Sequence, residues 1–320
     1  MARAAAFGLG LFVAAGVLAG FEYRYRSNER DLDYVWDQPG RRYGTPPGLY
    51  GSNSDGFHER ETGPRRPGVT RVLVVGDSVV WGFGLSLEQT ITRVAERALG
   101  AGWEVLNNAQ SGYDIEQVAA TAAIRGRALA PDLIVYGAYT NDVVPTNLIY
   151  VGADRAPIWV GPNPWPLHRW SALVRRVEGA RRVRGVTEDP DWTMYERGAQ
   201  ALRDAAGDIP VAALVLYPHV LANPDLAACS AKVGTPGWCE AQRDRGERMT
   251  TILAAAHIPT RGTLSALQRT GATAFYAART PQDHDHPSAE GSVVFGGVLA
   301  ELIRHVLATP ESDRPPTIPG

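Results

Sequence analysis

The feature that most constrains the fold is a repeating order of short apolar segments and helical patterns. Arg71–Val75 is rich in β-branched residues and precedes a helical pattern over Leu87–Leu99, which ends at Gly100. The same order returns at Trp103–Leu106, before a helix that begins near Ile115. Because strands that alternate with helices favour parallel pairing, the pattern predicts an α/β domain with a parallel sheet covered by helices on both faces.

Further segments extend the predicted sheet to about five strands. Asp132–Tyr136 and Val211–Leu216 are predicted as the third and fourth strands, with a helix over Met194–Ala206 between them. The signal for a fifth strand is weak, and Ala274–Tyr276 is the best candidate. A last helix is predicted over Ser288–Leu307.

The N-terminus carries an uncharged apolar segment, Ala4–Phe21, between Arg3 and Glu22. As a helix it would be about 27 Å long, close to the hydrocarbon thickness of a bilayer. Residues 4–21 are therefore predicted to anchor the chain in a membrane. A cleaved signal peptide is the alternative, because Val17–Ala19 resembles a small-residue cleavage site, and a buried helix is a third option. The first two readings place the following domain outside the cytoplasm, secreted if the segment is cleaved.

Composition divides the rest of the chain after an N-terminal segment of residues 1–24. Residues 25–67 are rich in Arg, Asp, Gly and Pro without periodicity, which predicts an extended spacer that packs only in part. Residues 68–308 hold the α/β domain, and the tail 309–320 is predicted to be disordered. Cys229 and Cys239 could form a disulfide in an exported protein, with two free buried thiols as the alternative.

Charge and lysine content argue against several function classes. The chain has 32 Lys and Arg against 34 Asp and Glu, and its arginines are spread along it, so no nucleic-acid footprint is present. Lys232 is the only lysine and lies in no glycine-rich loop, which argues against Schiff-base chemistry and a P-loop. Gly82–Gly84 lacks the third glycine of a dinucleotide-binding loop, since Leu87 stands in its place.

Candidate catalytic residues follow three of the predicted strands and precede the last helix. Because the carboxyl ends of parallel strands meet at one edge, these residues are expected to converge. A serine hydroxyl needs a base to take its proton, and an imidazole needs a carboxylate to fix its tautomer. We therefore predict Ser78 as the nucleophile, His286 as the base and Asp283 as its carboxylate. The predicted oxyanion donors are the backbone N–H groups of Ser78 and Gly112 and the Asn141 amide.

These blocks resemble the GDSL-type, or SGNH, hydrolases over residues 71–307. That family is named for a Ser, a Gly, an Asn and a His in four ordered blocks, with an Asp three residues before the His. The matching residues are, in order, Ser78, Gly112, Asn141 and His286, with Asp283. Asn53–Phe57 also resembles a lead-in of exported members. The chain departs from the pattern at Tyr139, where a glycine is usual and where the larger side chain would narrow the pocket, and at Val79, where the family name has Leu.

The resemblance implies a flavodoxin-like three-layer α/β/α sandwich and hydrolysis of esters or thioesters without a metal or an organic cofactor. The residues around the serine support this resemblance over one to the α/β-hydrolases, because no Gly-x-Ser-x-Gly elbow surrounds Ser78. The run Asp283–His286 has the composition of a metal site, but adjacent ligands alternate in direction and no other His or Cys motif completes a shell. No metal is therefore predicted, and His284 is expected at the rim of the site.

The sequence predicts a serine esterase or deacylase that removes O-acyl groups, such as acetyl, from an extracytoplasmic small molecule or glycan through an acyl-enzyme. One alternative is an O-acyltransferase acting on a surface glycan, since a sugar hydroxyl can intercept the same acyl-enzyme. Another is a non-catalytic binding module on the same fold. An insertion between the third and fourth strands, with Trp159, Trp165 and Trp170, is either a lid or a long loop packed by its indoles.

Overall fold

The computed structural model forms two compact units. The smaller unit contains residues 1–34 and 146–189, and the larger contains residues 35–145 and 190–320. The structure describes residues 2–28, 44–45, 47–145, 148–151, 157–160, 167, 171–174, 176–177, 189–271 and 283–318.

The larger unit is built on a five-stranded parallel sheet. The described strands are, along the chain, β1 (Thr70–Gly76), β2 (Trp103–Asn107), β3 (Leu133–Tyr139), β4 (Leu148–Val151), β5 (Pro157–Val160), β6 (Val211–Leu216) and β7 (Thr260–Gly262). The sheet has the order β2-β1-β3-β6-β7, whereas β4 and β5 form an antiparallel hairpin in the smaller unit. The predicted α/β class, with a central parallel sheet, is confirmed.

Helices cover both faces of this sheet. The described helices are α1 (Ala2–Asn28), α2 (Ser78–Trp81), α3 (Ile91–Leu99), α4 (Ile115–Leu129), α5 (Trp192–Ala206), α6 (Leu226–Val233), α7 (Trp238–Ala255), α8 (Leu264–Thr270) and α9 (Ala289–Ala308). Because β2 and β3 lie on opposite sides of β1, right-handed connections carry α3 and α4 over opposite faces. α9 packs against α3 and α5 packs against α4, which completes the three layers.

The fifth strand of the described sheet is β7, and the tail packs on it. β7 supplies the fifth strand, and the predicted segment Ala274–Tyr276 lies outside the described residues. The tail predicted to be disordered packs against β7 over its described part: the Ile318 N–H donates to the Thr260 carbonyl (2.7 Å), and Ile318 is 3% exposed. An edge strand needs backbone partners, and the tail provides them.

Part of the predicted spacer also packs on the larger unit. Phe57 is 1% exposed, and Glu59 accepts a hydrogen bond from the Asn107 N–H at the end of β2 (2.9 Å). The Gln110 side chain donates to the Gly56 carbonyl (2.5 Å). The segment that resembles the lead-in of exported family members is therefore part of the folded unit.

The smaller unit contains the predicted anchor. α1 exposes large apolar side chains, among them Leu11 (57%) and Phe12 (78%). At its far end the Glu22 carboxylate accepts hydrogen bonds from the Ser171 hydroxyl (2.7 Å) and from the Ala172 N–H (2.9 Å), at the start of a helical stretch. Trp165 and Trp170 lie outside the described residues, as does the Trp159 side chain.

One helix of the described residues meets the length and hydropathy of a membrane span. This helix is α9, with a mean hydropathy of 1.4, and 56% of the span is buried inside the protein. Its buried residues include Phe295 and Leu299, so α9 is a core helix of the larger unit.

Candidate active site

Ser78 lies in the first turn of α2, directly after β1. Asp77 caps this helix, since its carboxylate accepts a backbone hydrogen bond at 2.9 Å. The close approach of β1, β3 and α2 requires two glycines: a Cβ would lie 2.6 Å from Val80 Cγ2 at Gly76 and 2.2 Å from it at Gly137. This packing fixes the Ser78 hydroxyl at the carboxyl edge of the sheet, where 8% of the residue is exposed.

Ser78, His286 and Asp283 form a continuous chain of hydrogen bonds. Ser78 Oγ lies 2.8 Å from His286 Nε2, and His286 Nδ1 lies 3.0 Å from both carboxylate oxygens of Asp283. The Asp283 carboxylate also accepts the backbone N–H groups of Asp285 (3.2 Å) and His286 (3.0 Å). In this arrangement the imidazole can take the hydroxyl proton at Nε2 while Nδ1 keeps its proton toward Asp283. The structure therefore brings Ser78 into contact with a loop that lies about 200 residues further along the chain and carries both Asp283 and His286.

The pKa values of this chain are set by opposing effects. Burial tends to raise the pKa of Asp283, but its hydrogen bonds and the charge of His286 outweigh burial and lower this pKa to about 2. Burial tends to lower the pKa of His286, but the hydrogen bond to Asp283 and the charges of Asp283, Asp285 and Asp77 raise it above its usual 6.5. Asp283 is therefore ionised at neutral pH and can stabilise an imidazolium.

The two other predicted residues lie in the loops after β2 and β3. The first loop is tied to the end of β1 by the Gln110 N–H, which donates to a β1 carbonyl (3.0 Å), and Gly112 in this loop has a φ of 78°. Asn141 is exposed in the second loop, and its side-chain amide acts to lower the pKa of Asp77. Within the described residues, no acceptor is bonded to the backbone N–H of Ser78 or Gly112.

Two fully buried carboxyl groups lie behind the site. Burial raises the pKa of Asp77 to about 6, in spite of its backbone hydrogen bond and the charge of His286. Burial and the charge of Asp77 raise the pKa of Asp142 well above its usual value, although the Tyr136 hydroxyl donates to Asp142 Oδ2 at 2.6 Å. Asp142 therefore releases its proton less readily than an exposed carboxyl group does.

Tyr139 makes a contact that the motifs did not indicate. The residue is 1% exposed, and its hydroxyl donates to Asp285 Oδ1 at 2.8 Å. This contact joins the end of β3 to the loop that carries Asp283 and His286. The only signal for it in the sequence was the departure from the family pattern at Tyr139.

Aromatic rings border the histidines of this loop. The Phe83 ring centroid lies 5.0 Å from that of His286. The Trp238 ring, at the start of α7, lies 6.4 Å from that of His284. His284 thus contacts an aromatic side chain, and the described residues include no cluster of His, Cys, Asp or Glu arranged to hold a metal ion.

Cys229 and Cys239 are joined by a disulfide. Of the two alternatives left by the sequence, the structure therefore contains the bridge, and both cysteines are buried. The bridge links α6 to the first turn of α7, next to Trp238.

Comparisons with known proteins find similarity among solved structures. No family model matches the chain, and no curated protein matches it significantly. A carbohydrate acetylesterase family member from Sinorhizobium meliloti is 17% identical, with a TM-score of 0.41, over 75% of this chain and 100% of that one. The inhibitor-bound aryl esterase of M. smegmatis is 16% identical, with a TM-score of 0.43, over 74% and 100%. A candidate SGNH hydrolase from Slackia heliotrinireducens is 17% identical, with a TM-score of 0.44, over 73% and 99%.

Similarity at this level does not identify the activity or the substrate of this chain. Both depend on the residues of its own site.

Proposed function

We propose that this chain is a serine ester hydrolase, an esterase or deacylase, with Ser78 as its nucleophile. The observation that carries the proposal is the unbroken contact from Ser78 Oγ through the imidazole of His286 to Asp283, with distances of 2.8 and 3.0 Å. This is the arrangement that a weakly nucleophilic hydroxyl requires in order to attack an ester.

Acylation begins when Ser78 Oγ bonds to the acyl carbonyl carbon and His286 Nε2 takes the hydroxyl proton. The carbonyl π electrons move to the oxygen, which accepts hydrogen bonds from the backbone N–H groups of Ser78 and Gly112 and from the Asn141 amide. One such donor is worth about 10² to 10³ in rate. The electron pair on this oxygen then re-forms the carbonyl as the bond to the alkoxy oxygen breaks, and the alkoxy oxygen receives the proton from His286 Nε2, which leaves the acyl group on Ser78 Oγ.

Deacylation repeats these steps with water. His286 Nε2 takes a proton from the water as its oxygen bonds to the acyl carbon, and the bond to Ser78 Oγ breaks as the serine recovers the proton. The products are a carboxylic acid and the free enzyme. Asp283 remains ionised throughout and stabilises the imidazolium in both halves of the reaction.

We propose that the enzyme acts outside the cytoplasm, on O-acyl esters, such as O-acetyl esters, of a small molecule or glycan. Residues 4–21 are the proposed membrane anchor, and the exposed apolar side chains of α1 support this assignment. The disulfide between Cys229 and Cys239 also supports it, because such bridges persist in oxidising compartments. Intact-mass measurement of the protein from whole cells and from the medium tests the anchor: retention of residues 4–21 supports it, and a chain that begins after Ala19 indicates a cleaved signal peptide.

The activity is tested with the full chain in detergent and p-nitrophenyl acetate as substrate. We expect p-nitrophenol release from the native chain and from Ser86→Ala, a control at an exposed serine, but not from Ser78→Ala. Turnover that survives in Ser78→Ala contradicts the proposal. Acyl transfer that exceeds hydrolysis when a glycan is added would instead assign the chain to the acyltransferases.

A further inference from the structure

We propose that Tyr139 is a positioning residue: through Asp285 it anchors the loop that presents Asp283 and His286 to Ser78. The proposal rests on the proposed function of that site. It assigns a role to the position where the chain departs from the usual glycine.

The loop contains two acidic residues, and they have different partners. Asp283 bonds His286 Nδ1 with both oxygens at 3.0 Å. Asp285 instead accepts the Tyr139 hydroxyl at 2.8 Å, and its backbone N–H donates to Asp283 Oδ1 at 3.2 Å. Asp285 thus connects Tyr139 to the same carboxylate that orients the imidazole.

The Tyr139 end of this connection is fixed by the sheet. Tyr139 pairs with Leu216 of β6. Its N–H donates to Asp142 Oδ2 (3.1 Å), and its carbonyl accepts the Asp142 N–H (2.9 Å). Burial and the charge of Asp285 raise the pKa of Tyr139 well above 10, so its hydroxyl stays a donor in the working pH range. The Tyr139 hydroxyl is therefore a donor fixed by the sheet, and it holds Asp285 in the loop that carries Asp283 and His286.

The consequence is geometric. With the Tyr139 hydroxyl removed, Asp285 loses its only described side-chain partner, and the loop loses its tie to β3. A displacement of about 1 Å at the reacting atoms can cost about 10² in rate. We expect this loss in kcat rather than in KM, because Tyr139 is 1% exposed and presents almost no surface to a substrate, in contrast to the narrowing of the pocket expected from its size.

Four variants of the full chain test the proposal: Tyr139→Phe, Asp285→Ala, their double variant, and Asp285→Asn. Reaction with a fluorophosphonate to completion counts the competent sites, and kcat is expressed per labelled site. We expect kcat to fall about 10- to 100-fold in Tyr139→Phe and in Asp285→Ala, with KM nearly unchanged. The double variant should be no worse than either single variant, because both remove one interaction.

Asp285→Asn is the conservative variant, because its amide oxygen still accepts the tyrosine hydroxyl. We expect it to keep kcat within about threefold of the native value. It also removes a charge that raises the pKa of His286, so the rising limb of kcat/KM should move to lower pH. The other groups that act on His286 are unchanged: Asp283, Asp77 and the buried His219, which burial keeps neutral by lowering its pKa to about 4.

Tyr217→Phe is the matched control. Tyr217 is also buried at the end of β6, but its ring packs against Gly246 and Gly262. It should keep native kcat per labelled site. Native kcat in Tyr139→Phe, an equal loss in Tyr217→Phe, or additive losses in the double variant would overturn the proposal. A native chain that does not label at Ser78 would instead contradict the proposed function itself.

Discussion

The two edges of the parallel sheet differ in whether their buried charged side chains have partners of opposite charge. At the amino edge, the Arg71 side chain is 4% exposed and bonds Glu104 at 2.8 Å and the carbonyls of Leu129 and Gly63 at 3.2 Å. At the carboxyl edge, no arginine or lysine among the described residues forms an ion pair with Asp77, Asp142, Asp283 or Asp285. At the amino edge, the buried arginine and glutamate form an ion pair. At the carboxyl edge, the charges of Asp283, Asp285 and Asp77 instead raise the pKa of His286.

Some buried polar atoms at the carboxyl edge also lack hydrogen-bond partners. Within the described residues, Asp142 Oδ1, Thr140 Oγ1 and both ring nitrogens of His219 are buried without a hydrogen bond. Such groups reduce stability, and perturbed carboxyl groups of this kind cluster at functional sites. Under the proposed function, the amino edge stabilises the fold and the carboxyl edge holds the reacting groups. Substitutions at the two edges should therefore change different measured quantities.

The largest effect is expected for Asp283→Asn at the carboxyl edge. The amide cannot hold the His286 tautomer or stabilise the imidazolium, and kcat should fall about 10⁴-fold. Ester hydrolysis by the purified variant measures the loss, and circular dichroism checks that it is folded. Asp244→Asn, which removes an exposed carboxylate on α7, serves as the control. A fall in kcat of less than tenfold would show that Asp283 is not needed to orient His286.

Arg71→Met at the amino edge should reduce stability instead. It leaves two carbonyls without this donor and Glu104 with only the exposed Arg66 as its cation (3.2 Å), and the free energy of unfolding should fall by about 3 kcal/mol. Urea denaturation measures the change, and kcat per labelled site should stay native. The exposed pair of Arg97 and Glu88 offers the control, since Arg97→Met should cost less than about 1 kcal/mol. If Arg71→Met lowered kcat strongly and left the free energy of unfolding unchanged, the proposed difference between the two edges would be wrong.

A third prediction concerns pH. His286 acts as a base only when it is neutral, and the charges of Asp283, Asp285 and Asp77 raise its pKa above 6.5. We expect kcat/KM to rise about tenfold per pH unit below this pKa and to level off above it. A pH profile of kcat/KM with p-nitrophenyl acetate, corrected for spontaneous hydrolysis, measures the midpoint. A midpoint below 6.5 would show that the carboxylates do not act on His286 as described.

The smallest effect is expected for Asp142→Asn. Burial and the charge of Asp77 favour the protonated form of Asp142. An asparagine oxygen can accept the same hydrogen bonds from the Tyr136 hydroxyl and the Tyr139 N–H. The free energy of unfolding at pH 7 should change by less than about 1 kcal/mol. Urea denaturation at pH 7 measures this. A loss of about 3 kcal/mol or more would indicate a buried carboxylate that is ionised.

The strands that could be predicted from the sequence are those that form short apolar runs. β1, β2, β3 and β6 were found because each is a short run of β-branched or apolar residues. β7 reads Thr-Arg-Gly and has no such run, so it owes its extended form to pairing with β6 and with the tail. Contacts between distant segments override local pattern in this case.

The same limit applies to the site. Ser78, His286 and Asp283 were predicted because each residue type is required by one chemistry, and the structure places them in contact. The bond between Tyr139 and Asp285 joins residues 146 positions apart and follows no motif. Only coordinates could show it, because it depends on where the last loop meets the end of β3.

The most direct test of the proposed nucleophile is covalent labelling of the full chain with a fluorophosphonate, followed by intact-mass analysis and peptide mapping. We predict a single adduct on the peptide that contains Ser78, formed slowly in His286→Asn and absent in Ser78→Ala. An adduct that persists in Ser78→Ala, or maps to another residue, would contradict the assignment of Ser78 as the nucleophile.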